Sequence, residues 1–116
     1  MKENLPIEKV LQSQELFELF KSQLKKDFEE CTCDANFTNS LVADLPLVIE
    51  TVARELKRNE KRSDFNLQQL LYRIDLQESL LKKSLQSSDN MDYHDVLAEL
   101  IVKRILQKIV LKKYFS

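Results

Sequence analysis

His94 is the only histidine in the chain, so any nucleophile that relied on an imidazole base would have to use it. It stands among Asp92, Tyr93 and Asp95 in the opening turn of a helical pattern. Acidic residues there are already accounted for by N-capping and by the helix dipole. A metal site built on His94 would have to recruit Asp95 and Glu99 or the cysteines, yet the Glu-x-x-His pairs of carboxylate-bridged bundles are missing. Cys31 and Cys33 are separated by one residue, not by the C-x-x-C spacing of redox and zinc motifs, and no second pair completes a tetrahedron. Both are expected to be reduced, Cys31 as a small core residue and Cys33 as an exposed thiol. Tyr72, Arg73 and Asp75 bracket Ile74 in LLYRID. There Arg73 is expected to pair with an acidic residue of a neighbouring helix and fix register. No catalytic, cofactor or metal-binding residue is assigned.

Two other patterns could act through contacts. Arg54, Lys57, Arg58, Lys61 and Arg62 follow i, i+3, i+4, i+7, i+8 spacing and so share one helix face. Leu45, Val48, Ile49, Val52 and Leu56 centre about 180° away, which fixes the buried side. Five aligned cations near a helix C-terminus could hold the phosphates of a nucleic acid or another polyanion, an anionic lipid surface or an acidic protein. A solvated face is the commoner explanation of such a stripe, and the aromatic interleaving of single-strand binders is absent.

The second pattern is the segment from Val96 to Leu111, whose apolar residues occupy most of a helical wheel. Only Arg104, Lys108 and Lys112, spaced four apart, mark a stripe that must face water. One reading makes the surplus a self-association face carried by Val102, Leu106, Ile109 and Val110, most simply a two-fold homodimer, or a seat for a partner protein. The other makes this helix central, wrapped by the first helix, the 38–43 turn and the N-terminal arm.

These residues need helices to position them, and the composition supplies helices. The chain has no glycine, so the positive-φ turns of tight hairpins fall to Asn or Asp, which argues against an all-β fold. The same absence removes dinucleotide fingerprints, P-loops and nucleophile elbows. At 116 residues one core can bury roughly two thirds of the unfolded surface. With 43% hydrophobic and 32% charged residues the chain is too apolar for disorder and too charged for a membrane protein. A formal net charge of −1 gives no global field to recruit nucleic acid. No apolar run reaches a membrane span and the N-terminus has no signal-peptide core, so the expectation is a soluble cytoplasmic protein.

The elements follow from periodicity and caps. A short N-terminal arm holds Pro6, Ile7, Val10 and Leu11. Ser13 caps a helix to about Cys31, with Leu16, Phe17, Phe20, Leu24, Phe28 and Cys31 within an arc of about 120° and Leu19 off it. Phe37 is expected to staple onto Val42 around a Thr38 cap, with a short helix at 38–43. Pro46 breaks that helix, and Asp44 caps a restart running from 45 to about 62. Ser63 and Asp64 cap the next helix, which carries Leu67, Leu70, Leu71 and Ile74. A bend near Asp75, with Asp75 and Glu78 as a capping box, moves the apolar face so that Leu81 and Leu85 extend the stripe while Leu76 and Leu80 oppose it. QSSDN at 86–90 is a loop, Met91 and Val96 staple around Asp92, and the last helix reaches about Tyr114.

The expectation is therefore one all-α domain over 1–116, a four-helix up-down bundle with an N-terminal helical arm and a Pro-associated break near residue 46. Its expected role is non-enzymatic, as a scaffold, assembly or regulatory protein acting through protein contacts and self-association. The alternative is polyanion binding through Arg54 to Arg62. An enzyme with a composite site between subunits comes third.

Overall fold

The computed structural model describes residues 7–31, 35–87 and 92–115, and the regular structure among them is entirely helical. In chain order the elements are α1 (Ile7–Gln12), α2 (Gln14–Glu30), a 3-10 turn (Asn36–Ser40), α3 (Leu45–Glu60), α4 (Leu67–Ile74), α5 (Glu78–Ser87) and α6 (Tyr93–Phe115). The four principal helical segments of the sequence are α2, α3, α4 with α5, and α6.

Local chemistry sets most boundaries. The Ser13 side chain accepts from Leu16 N at 3.3 Å and starts α2, which buries the expected stripe and leaves Leu19 exposed. Asp44 accepts from Leu47 N at 3.2 Å, and Pro46 sits in the first turn of α3, where its missing N–H has no helical partner to lose. The restart at Asp44 is thus what the sequence predicts.

Three local expectations are corrected. The segment after residue 35 is a 3-10 turn at Asn36–Ser40, not a helix at 38–43. Val42 is exposed, and Phe37 packs edge-on against Phe28 at 5.4 Å, because burying a ring against the core outweighs stapling it to a surface valine. The cap of α4 is Asn66, whose Oδ1 accepts from Gln69 N at 3.1 Å, and not Ser63 or Asp64. Asp64 pairs instead with Arg62 at 3.3 Å.

The break between α4 and α5 falls at Asp75, but through a C-cap. Asp75 adopts φ 63 and ψ 48, and the Leu76 N–H reaches back to Leu71 O at 2.9 Å. In a chain without glycine an aspartate takes this left-handed position. Asp75 is therefore no capping box for α5, whose first amides, from Leu80 and Leu81, donate to Gln77 O. The re-aimed chain buries both Leu76 and Leu81 and leaves Leu80 exposed.

α6 is the axis of the molecule, and α1, α2, α3, α4 and α5 all pack on it. Lys57–Asp92 and Glu60–His94 join the end of α3 to the start of α6, and Glu15–Lys113 joins the start of α2 to the end of α6. Both helices therefore run antiparallel to α6, as an up-down arrangement requires.

This placement explains the wide apolar arc and corrects the surplus-face expectation. Val102, Leu106 and Ile109 are 0%, 1% and 5% exposed within the single chain, and Val110 is half-buried. A helix packed on by five others buries a far wider arc than one that packs along a single face, while Lys103, Gln107 and Lys112 still face solvent. The Ser88–Asn90 part of the QSSDN loop, Met91 of the expected staple, Pro6 of the arm and Cys33 lie outside the described residues.

Candidate functional site

The sequence places the five cations on the solvent side of α3, and the structure leaves Arg54, Lys57, Arg58, Lys61 and Arg62 all exposed. Three are engaged by carboxylates. Arg58 holds Glu55 Oε1 through Nε at 3.1 Å and Nη2 at 2.8 Å, Lys57 meets Asp92 at 3.3 Å, and Arg62 meets Asp64. Arg54 reaches only the Thr51 hydroxyl, at 3.5 Å. The carboxylates interleaved with the stripe remove much of its field, since exposed pairs of this kind are worth little in stability but cancel charge locally.

Around His94 the ends of two helices meet. Its Nε2 lies 2.8 Å from Glu60 Oε2 and its Nδ1 lies 3.5 Å from Asp92 Oδ2, with the Tyr93 ring edge-on at 5.1 Å. Burial, with the nearby Glu60 charge adding to it, pushes the Tyr93 hydroxyl above its ordinary value. Desolvation pushes the Asp92 carboxyl up, but the Lys57 ammonium and the hydrogen bonds it receives outweigh this and hold it below the usual carboxylate range. The cluster fastens the α3–α6 corner.

The richest constellation lies between α2 and α4. Tyr72, Arg73 and Asp75 are brought together with Glu30 and Gln69 around a solvent-open groove of about 550 Å³. Beneath it Asp27 is 1% exposed, and its Oδ1 accepts from Gln23 Nε2 at 3.0 Å and lies 3.1 Å from Arg73 Nε. Arg73 Nη1 also lies 3.4 Å from Glu30, and Lys108 Nζ of α6 donates to Arg73 O at 3.5 Å. The expectation that Arg73 pairs with an acidic residue of a neighbouring helix is met twice over. Burial drives the Asp27 carboxyl above its ordinary value against the lowering effects of Gln23, Lys108 and Arg73, and it likewise raises the Cys31 thiol. Cys31 is a core residue, as its place in the stripe implies.

Asp27 and Glu30 were not singled out from the sequence. The signal was present for Asp27: it sits at about 20° from Leu16 on the wheel, inside the apolar arc of α2, where a carboxylate has no reason to be without a partner. Asp75 turns outward and pairs with Arg104 of α6 at 3.0 Å. Among the described residues no group of three or more His, Cys, Asp or Glu side chains could hold a metal ion, and no helix is long and apolar enough to cross a membrane.

Compared with protein-family models, with curated proteins and with solved structures, the chain matches none of them.

Proposed function

We propose that this protein works through protein contacts, as a small helical scaffold, assembly or regulatory subunit that pairs with itself or a partner. The observation that carries the reading is at the end of the central helix. Leu111 and Tyr114 lie three residues apart on one face of α6 and are 48% and 58% exposed, beside the half-buried Val110. Large apolar side chains kept outside a core that had room for their neighbours mark a surface to be covered. The contact reading thus moves from the buried Val102, Leu106 and Ile109 to the last two turns. A cytoplasmic setting belongs to the same reading and is checked by cell fractionation.

Size-exclusion chromatography with light scattering tests it. A dimer at high micromolar concentration that becomes monomeric in the Leu111→Glu, Tyr114→Glu variant supports self-association. A wild type that stays monomeric, and that recovers no salt-resistant protein from native lysate, sinks the proposal.

The second reading is polyanion binding along α3, favoured by Arg54 and Lys61, which make no ion pair with a carboxylate among the described residues. A mobility-shift titration with RNA and DNA at low salt decides it, since a phosphate-holding stripe binds more weakly as salt rises.

A further inference from the structure

Asp27 is the one carboxylate among the described residues that the fold encloses almost completely. Its Oδ1 takes both neighbours, Gln23 and Arg73, while Oδ2 is buried with no hydrogen-bond partner. The titratable and charged groups around it are Glu30 and Cys31 on the α2 side, Arg73 from α4 and Lys108 from α6. An ionised carboxylate here has one oxygen deprived of water and donors, and the guanidinium that compensates it is shared with Glu30.

α4 is the shortest helix in this arrangement. It is eight residues long, begins at the Asn66 cap and ends at the left-handed Asp75, and packs mainly on α2 and α6, burying Leu70, Leu71 and Ile74. When it lifts, Arg73 leaves with it and water reaches Asp27.

We propose that Asp27 makes the docking of α4 proton-linked, with α4 seated most firmly when Asp27 carries a proton and lifting more often as the proton is lost. The sign follows from linkage. Desolvation holds the carboxyl above its ordinary value in the folded protein, and water admitted by the lifting of α4 would return it towards that value. The docked form therefore binds more protons, and raising the pH through the interval between the two values favours the lifted form by up to about tenfold per pH unit. Burial of three apolar side chains keeps the lifted form a minor species throughout. The inference is independent of what the protein binds.

Amide hydrogen exchange followed by NMR tests this, with carboxyl-carbon titration of Asp27 alongside and rates corrected for intrinsic base catalysis. The expected result is an Asp27 carboxyl titrating above the ordinary value near 4. The opening constant for the amides of residues 71–75 should rise with pH over the same interval, while amides of residues 52–56 in α3 stay level. Asp27→Asn should flatten the α4 response. An Asp27 that titrates at or below the ordinary value overturns the proposal, as does an α4 opening constant that is flat or moves in step with α3. If the asparagine variant does not fold, the wild-type titration and exchange decide alone.

Discussion

Arg73 of α4 lies 3.1 Å from the Asp27 carboxylate of α2, joining a partly exposed guanidinium to a side chain 1% exposed. The pair ties two helices through residues 46 apart in sequence and sits where three helices meet. Its energetics differ from those of the surface pairs, since removing one partner leaves a desolvated charge behind.

Arg73→Met should therefore destabilise the protein by about 2–3 kcal/mol, somewhat below the ~3–5 of a fully enclosed pair because Arg73 retains some solvent. The double variant Asp27→Leu, Arg73→Met should recover most of that loss. Urea unfolding of the two single variants and the double variant measures it, and a double variant as unstable as Arg73→Met would show that the pair itself, not the stranded charge, carries the stability.

Asp27 and Asp92 should respond to pH in opposite senses. The Asp27 carboxyl is raised in the folded state by burial, so its contribution is most favourable below the unfolded value and is lost as pH climbs through the folded one. Asp92 is lowered, so its contribution is present above the unfolded value and disappears as pH falls. Unfolding free energies between pH 4 and 7 should fall less steeply in Asp27→Asn than in the wild type, and a steeper fall would contradict the assignment.

Asp75 holds φ 63 without being glycine. Asp75→Val should cost about 1–2 kcal/mol, because a branched Cβ crowds the carbonyl in this region. Asp75→Asn should change stability by about 0.5 kcal/mol or less, since asparagine tolerates the conformation and only the exposed pair with Arg104 is lost. Thermal melts of the two variants compare backbone strain directly with the ion pair.

Caps separate the observed start of α4 from the one expected from sequence. Asn66→Ala should cost about 1 kcal/mol, and Asp44→Ala about the same at α3, whereas Ser63→Ala should stay within about 0.5. Equal losses at Ser63 and Asn66 would return the helix start to the earlier residue.

In the central helix, Ile105→Ala should cost about 2–5 kcal/mol at a fully buried position, while Leu111→Ala should leave monomer stability nearly unchanged. Chemical denaturation at low protein concentration makes the comparison without interference from self-association.

The sequence by itself determined the helical class, the stripe of α2, the Ser13 and Asp44 starts, the break at residue 75 and the exposed side of α3. Each of these is local: periodicity, a capping side chain, a proline's missing donor or a cation spacing acts within one or two turns. What only the tertiary structure decided is which faces meet. An apolar wheel reports that Val102, Leu106 and Ile109 avoid water, but it is silent on whether the cover is a second molecule or the chain's own helices, because burial is non-directional. Likewise Asp27 lay in plain view inside an apolar arc. The identity of its partner depended on how α4 is re-aimed at Asp75 and brought against α2, a distance in space that no spacing along the chain encodes.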